Sequence, residues 1–230
     1  MKNGYFLINK LAGWTSYDVI RFLKKKFAQH YQKSAECTFK KIGHAGTLDP
    51  FAEGLLIILI GKATKKFDYF QTLEKEYEAV MHLGKTTDTY DVEGKTVSEY
   101  KGEIKIEKDK LIRILESFEG EVEQMPPAFS ALKIRGRPAY KMARKGEEVK
   151  LQPRKVFIKE IKLLKIKSPL INIKVTCSSG TYIRSLAYDI GEKLGYGGYL
   201  EKLKRTRIGQ LRLKDAKKPE KIIPKNLKDI

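Results

Sequence analysis

Apolar and polar positions change period several times along this chain, and each change marks an element. Gly4 to Leu11 predicts a short strand. Ser16 then predicts a helix cap, because Val19, Ile20, Leu23 and Phe27 fall on one face at a period of 3.6, with Lys24, Lys25 and Lys26 beyond that stripe. His30 to Lys41 has no period and predicts a basic loop. Leu55 to Ile60 is wholly aliphatic between Gly54 and Gly61, the pattern of a strand buried on both faces. Tyr77, Ala79, Met81 and Leu83 alternate with polar neighbours up to Gly84, as a half-buried strand does, and the Thr- and Asp-rich Gly84–Gly94 predicts a loop.

Further on, Leu111, Ile112, Leu115 and Phe118 predict an amphipathic helix ending at Gly120, and a second runs from Pro138 at its first position to Gly146 just past its end. Val156 to Ile166 and, after Pro169, Ile171 to Cys177 predict two strands facing each other as a hairpin. Thr181 to Leu194 returns to helix, closed by Gly195, and Lys217 to Ile230 predicts a loose basic tail. Strands with helices scattered between them give an α+β class on a mixed, mostly antiparallel sheet with flanking helices.

With 230 residues the chain has room for one large domain or two small ones at roughly 150 residues each. Its longest aliphatic run is far short of the about 20 residues that span a bilayer. The first ten residues lack the apolar core and cleavage site of a signal peptide, so a cytoplasmic location is expected. Cys37 and Cys177 show no zinc-ligand spacing and no disulfide framework.

Charge changes the picture most. Against 28 acids stand 47 lysines and arginines, a net charge of +19 that favours a polyanionic partner. The excess is concentrated in residues 1–43, 133–167 and 193–230, whereas residues 74–123 carry more acids than bases. Such segregation predicts three basic segments on one nucleic-acid-facing side and an acidic element turned away. A lysine-rich surface serving solubility is the competing explanation.

Two stretches carry candidate chemistry. In Gly43-His44-Ala45-Gly46-Thr47-Leu48-Asp49-Pro50 the glycines free the backbone, and Pro50 biases Asp49 toward an extended conformation. Such a turn can raise a carboxylate from a rigid edge; it is equally the pattern of a plain Asx-Pro turn. In Cys177-Ser178-Ser179-Gly180-Thr181-Tyr182-Ile183-Arg184 a strand passes into a helix whose free N–H groups suit an anion. Arg184 there either forks a carboxylate such as Asp49 or braces its own helix.

GHAGTLDPFAEGLL, KEYEAVMHLGKTTDTYDVEG, QMPPAFSALKIRGRPAYKMARKGEEV and CSSGTYIRSLAYDIGEKLG occur in the order and spacing of the bacterial tRNA pseudouridine-55 synthases, and the chain resembles that family from about Gly4 to Leu213. The resemblance implies a pseudouridine synthase fold with a central RNA-binding cleft, in a single catalytic domain over residues 1–230. Asp49 matches the catalytic aspartate, which attacks the sugar C1′ or the base at C6. Tyr77 matches the tyrosine that stacks on the target base, and Arg184 the arginine paired with the catalytic carboxylate. Tyr182 matches a base-contacting tyrosine, His44 the histidine that fills the space left by the flipped uridine, Leu203 an apolar wall of the base pocket, and Lys10 the lysine of an N-terminal Lys-Pro pair.

The implied reaction is isomerisation of uridine 55 in the tRNA T-loop. It needs no cofactor and no metal, and neither a protein partner nor oligomerisation is implied, so a monomer is expected. Because the target atom lies inside a folded loop, the base must be flipped out and held by stacking. The chain departs from the family pattern in reading Lys10-Leu11 for Lys-Pro, in a longer loop over residues 27–41, and in the 17 residues after Leu213, too few for the small RNA-binding PUA module that often ends members of the family. The alternative is a non-catalytic RNA-binding or tRNA-folding protein on the same scaffold, which would have no reason to keep a carboxylate at Asp49.

Overall fold

A computed structural model of the chain describes residues 3–30, 41–130, 132–134, 136–147 and 149–229. The chain divides into two compact units, residues 1–77 with 203–230 and residues 78–202.

The first unit is built on β1 (Gly4–Lys10) and β3 (Glu53–Ile60), antiparallel from Gly4↔Ile60 to Lys10↔Gly54. Between them in sequence come α1 (Ser16–His30) and β2 (Ile42–Ala45), the latter antiparallel to β3 from Ile42↔Ile60 to Ala45↔Ile57. α2 (Phe67–Thr72) follows a 3-10 turn, and β4 (Lys75–Leu83) carries the chain into the second unit. The aliphatic run of β3 is buried on both faces, as its pattern predicts. Leu56, Ile58 and Ile60 pack with Phe6, Ile8, Val19, Ile20, Leu23 and Phe27 beneath α1, while Leu55, Ile57 and Leu59 pack with Leu7, Ala63, Phe70 and Ile208 on the opposite side.

In the second unit β5 (Lys85–Thr87) and β6 (Thr96–Glu99) form a hairpin. α3 (Lys108–Glu116) leads to β7 (Gly120–Gln124), and the small hairpin of β8 (Lys133–Ile134) and β9 (Arg137–Pro138) to α4 (Ala139–Ala143). β10 (Arg154–Lys167) and β11 (Leu170–Cys177) pair antiparallel as expected, and β7 pairs antiparallel with β10. α5 (Ile183–Leu194) ends at Gly195, after which β12 (Gly198–Ile208) returns the chain to the first unit and β13 (Leu211–Arg212) folds back on it. β12 lies parallel to β3 at Lys204↔Glu53 and Arg205↔Gly54. The class is therefore α+β on a mixed sheet. Among the described residues no helix is long and apolar enough to cross a membrane.

Four expectations need correction. The cap of α1 is Thr15, whose hydroxyl accepts from the Asp18 N–H at 3.0 Å while the Asp18 carboxylate accepts from the Thr15 N–H at 2.8 Å, a reciprocal box that leaves Ser16 for another task. The stretch Gly84–Gly94 is not all loop, since β5 lies within it. β12, eleven residues long, has no counterpart in the predicted elements. And residues 217–229 are not loose: Lys228 exchanges two 2.9 Å hydrogen bonds with Tyr5, Lys217 pairs with Leu7 and Asn9, and Ile222 is 1% exposed within the α1 core cluster. An outer strand needs partners for its main-chain groups, and this segment supplies them to β1. Most of the expected loop over residues 30–41, with Cys37, lies outside the described residues.

If the segment is structural, Ile222→Ala should lower stability by about 2–4 kcal/mol in urea denaturation, as core truncations do. A change within about 0.5 kcal/mol, usual for surface substitutions, would return it to the status of a loose tail.

Candidate functional site

The Asp49 turn leaves β2 after Ala45 and is held from three directions. Ser16, freed from capping, accepts from the Leu48 N–H at 3.0 Å and donates to the Leu48 carbonyl at 3.3 Å, so the residue before Asp49 is pinned to the start of α1. Lys10 has no exposed surface, and its ammonium donates to the carbonyls of Leu11, Trp14 and Pro50. Expected among substrate-binding residues, Lys10 in this structure braces the turn just past Asp49. The Gly13 N–H adds a 2.8 Å bond to the same Pro50 carbonyl. On the entry side Arg205 of β12, 1% exposed, donates to the carbonyls of Gly46 at 2.8 Å and Thr47 at 3.4 Å. Asp49 itself is half-buried.

The same strand organises the other expected residues of this unit. Leu203 is buried two positions before Arg205, on the same face. Just beyond, the Thr206 hydroxyl donates to the Glu76 carboxylate at 2.7 Å and Arg207 forms a 2.7 Å ion pair with Glu74. These contacts fix the start of β4 and with it Tyr77, which is 8% exposed. His44 sits on β2 with its Nδ1 buried and without a hydrogen-bond partner among the described residues. Burial first, and the Arg205 charge second, hold its pKa below the ordinary imidazole value. A neutral ring results, suited to stacking.

The second unit holds Tyr182 and Arg184. Tyr182 precedes α5 and is bracketed by Gln124, which accepts from its N–H at 2.8 Å and donates to its carbonyl at 3.0 Å. Arg184 is 4% exposed. It donates to the Thr89 carbonyl at 3.0 Å and the Phe129 carbonyl at 2.9 Å, and its Nη1 lies 3.3 Å from Oδ2 of Asp91. The other Asp91 oxygen accepts from the Thr89 hydroxyl at 2.6 Å and the Glu93 N–H at 3.0 Å. Asp91 is thus held on one side by its loop and turned to the arginine on the other.

Tyr90, between Thr89 and Asp91, adopts φ 60, strained for a tyrosine, and stacks on Tyr188 of α5 with ring centroids 4.3 Å apart. Asp91, Ser16 and Arg205 escape a reading of the sequence alone. Asp91 lies inside one of the four family-like stretches, but nothing in its spacing separates it from Asp88. A serine next to a cap and an arginine in a basic segment look ordinary.

Solved structures share this architecture. The chain is 30% identical to a chain in the crystal structure of a Cbf5-Nop10-Gar1 complex, with a TM-score of 0.68 over 91% of this chain and 50% of that one. It is 27% identical, with a TM-score of 0.66, to a chain in a structure of an H/ACA RNP bound to a substrate RNA containing 2'-deoxyuridine. It spans half the length of both. Residues 34–183 match the model of the TruB family pseudouridylate synthase (N terminal domain). Among curated relatives, the tRNA pseudouridine synthase B of Parabacteroides distasonis is 44% identical over 214 residues, covering 93% of this chain and 89% of the relative. That of Aquifex aeolicus is 44% identical over 216 residues, covering 93% of this chain and 71% of the relative. The chain belongs to the TruB family of pseudouridylate synthases, which are isomerases.

Beside this network lies Asp189, whose carboxyl is pushed up to about 6 by burial and then by the Glu192 charge. Because the folded value lies above the ordinary 3.8, the fold favours the protonated form. Its contribution to stability is complete below about pH 4 and disappears as pH rises through about 6. Asp189→Asn should therefore stabilise the protein by about 1–2 kcal/mol at pH 7.5, after discounting for partial solvent screening, and by nothing near pH 4. Urea titrations at the two pH values check the sign.

Proposed function

We propose that this chain converts uridine 55 of the tRNA T-loop to pseudouridine, with Asp49 as the nucleophile. The observation that carries the reading is the Asp49 turn itself, whose main chain is pinned by Ser16, Lys10 and Arg205 on either side of the residue that matches the family's catalytic aspartate. Curated relatives that share nearly the whole chain are named tRNA pseudouridine synthase B, which supports tRNA as the substrate. The net charge of +19 suits a polyphosphate partner, with lysines and arginines expected to supply most of the affinity.

Asp49 attacks C1′ or C6 and bonds to it; either way the N1–C1′ bond breaks, the uracil turns, a C5–C1′ bond forms, and the bond from Asp49 to C1′ or C6 breaks to return the free carboxylate. The C5 proton leaves to solvent and N1 gains one, so atoms and electrons balance without a redox partner. Ordinary glycosidases need a second carboxyl to protonate a poor leaving group; a delocalised uracilate leaves without one. Tyr77 stacks on the flipped base beside Leu203, Tyr182 matches a base-contacting tyrosine of the family, and neutral His44 occupies the vacated stack. Arg184, oriented by Asp91 and two carbonyls, matches the arginine whose guanidinium forks the catalytic carboxylate in the family. A lysine cannot reproduce that fork.

Asp49→Asn should lose at least a thousandfold in turnover on an unmodified tRNA transcript, with pseudouridine mapped by sequencing, while Kd stays within about tenfold because phosphate contacts dominate binding. Retained turnover removes Asp49 from the nucleophile's role. Tyr77→Phe should keep the stack that Tyr77→Ala loses, a stack worth about 1–3 kcal/mol. If the two variants lose the same activity, the hydroxyl rather than the ring carries Tyr77's part.

A further inference from the structure

Arg205 is a fully buried cation for which the chemistry above has no reacting role. Its place in the sheet is specific. β2 runs beside β3 along Ile57–Ile60, and β12 meets β3 only at Glu53 and Gly54. Arg205 therefore stands where the chain leaving β2 becomes the Asp49 turn. Its Nε donates to the Leu55 carbonyl at 2.8 Å, its Nη2 to Gly46 at 2.8 Å and its Nη1 to Thr47 at 3.4 Å. One planar group ties the rigid strand β3 to the two residues that enter the turn.

Two glycines are fitted to it. A Cβ at Gly54 would lie 2.4 Å from the Arg205 carbonyl oxygen, so only glycine lets β12 approach this closely. Gly46 has φ +80, and a Cβ there would lie 3.3 Å from Arg205 Nη1.

We propose that Arg205 is a positioning residue for the catalytic carboxylate: by holding Gly46 and Thr47 against β3 it sets where Asp49 points, and it governs turnover rather than RNA affinity. The inference rests on the reading of Asp49 as nucleophile. Arginine is required because its donors diverge in a fixed plane toward three carbonyls, whereas one ammonium cannot span Leu55 and Gly46 together. A shift of the turn by about 1 Å is enough to cost roughly a hundredfold in rate.

The test compares Arg205→Lys with Asp49→Asn and with Phe27→Leu, a control that weakens the α1 core away from the turn. Single-turnover rates at saturating unmodified tRNA, Kd from filter binding, melting temperature, and amide deuterium exchange over residues 46–50 are measured for each. Arg205→Lys should turn over about 30- to 300-fold more slowly, bind within about threefold of wild type, and exchange faster over residues 46–50. Phe27→Leu should keep its rate at a comparable loss of melting temperature. An undiminished rate in Arg205→Lys, a loss seen only in Kd, or an equal loss in Phe27→Leu would overturn the proposal.

Should Arg205→Lys not fold, Gly46→Ala loads the same contact from the other side, and it must lower the rate with Kd kept; full activity there also overturns it. Turnover in Asp49→Asn would sink the nucleophile reading and this inference with it. A dead Asp49→Asn beside a fully active Arg205→Lys sinks this inference alone.

Discussion

Main-chain carbonyls without regular partners are the constraint around which the first unit is arranged. The turn from Gly46 to Pro50 leaves a strand, carries Asp49, and enters another strand, so its carbonyls at Gly46, Thr47 and Pro50 cannot join a ladder. Two buried cations, Arg205 and Lys10, take them up. Burying an ionised group costs several kcal/mol, and each hydrogen bond to a charged group returns about 1.5–3 kcal/mol. The exchange is favourable only when the donors find acceptors: three carbonyls take all three N–H groups of Lys10 and three of the five of Arg205. The turn and the cations therefore specify each other: the buried cations need the turn's carbonyls, and those bonds hold the half-buried turn in place.

A related logic operates in the second unit with the charges reversed in emphasis. Arg184 is oriented by carbonyls of Thr89 and Phe129, but the group facing it from the loop is an anion, Asp91, itself held by Thr89 and Glu93. The loop supplying both Thr89 and Asp91 passes through a left-handed tyrosine stacked on α5, the helix that bears Arg184. Strain at Tyr90 is offset by that stack and by the ion pair, so the arginine's direction follows from the packing of a whole loop.

How far the sequence shows all this differs by element. β3, α3, α5 and the hairpin of β10 and β11 are legible because their apolar residues obey a single period, and what buries them is the generic preference for removing hydrocarbon from water. β12 is not, because Arg205 stands where an apolar residue would complete its inward face and the strand reads as another basic stretch. The terminal segment misleads likewise: Ile222, Ile223 and Leu227 are a few apolar residues among lysines, and nothing local says that an outer strand is waiting for them. The family-like stretches bring Asp49, Tyr77 and Arg184 to notice, but the residues that hold them lie outside the motif or inside it unmarked. Ser16 is next to a cap, Arg205 is 150 residues from the Leu55 carbonyl it binds, and Asp91 is one of several loop acids.

That distance has a physical consequence for how the site forms. The glycines of the Gly43–Gly54 stretch resemble features of a local turn, yet Gly54 is required by the main chain of Arg205 and Gly46 lies against its guanidinium. Without β12 the Gly46 and Thr47 carbonyls lack their Arg205 donors, and a stretch with three glycines then samples many conformations. The geometry around Asp49 is therefore a non-local product of folding, dependent on contacts about 150 residues away in sequence. The motif that makes the carboxylate conspicuous in the sequence is thus the imprint of a strand that the sequence hides.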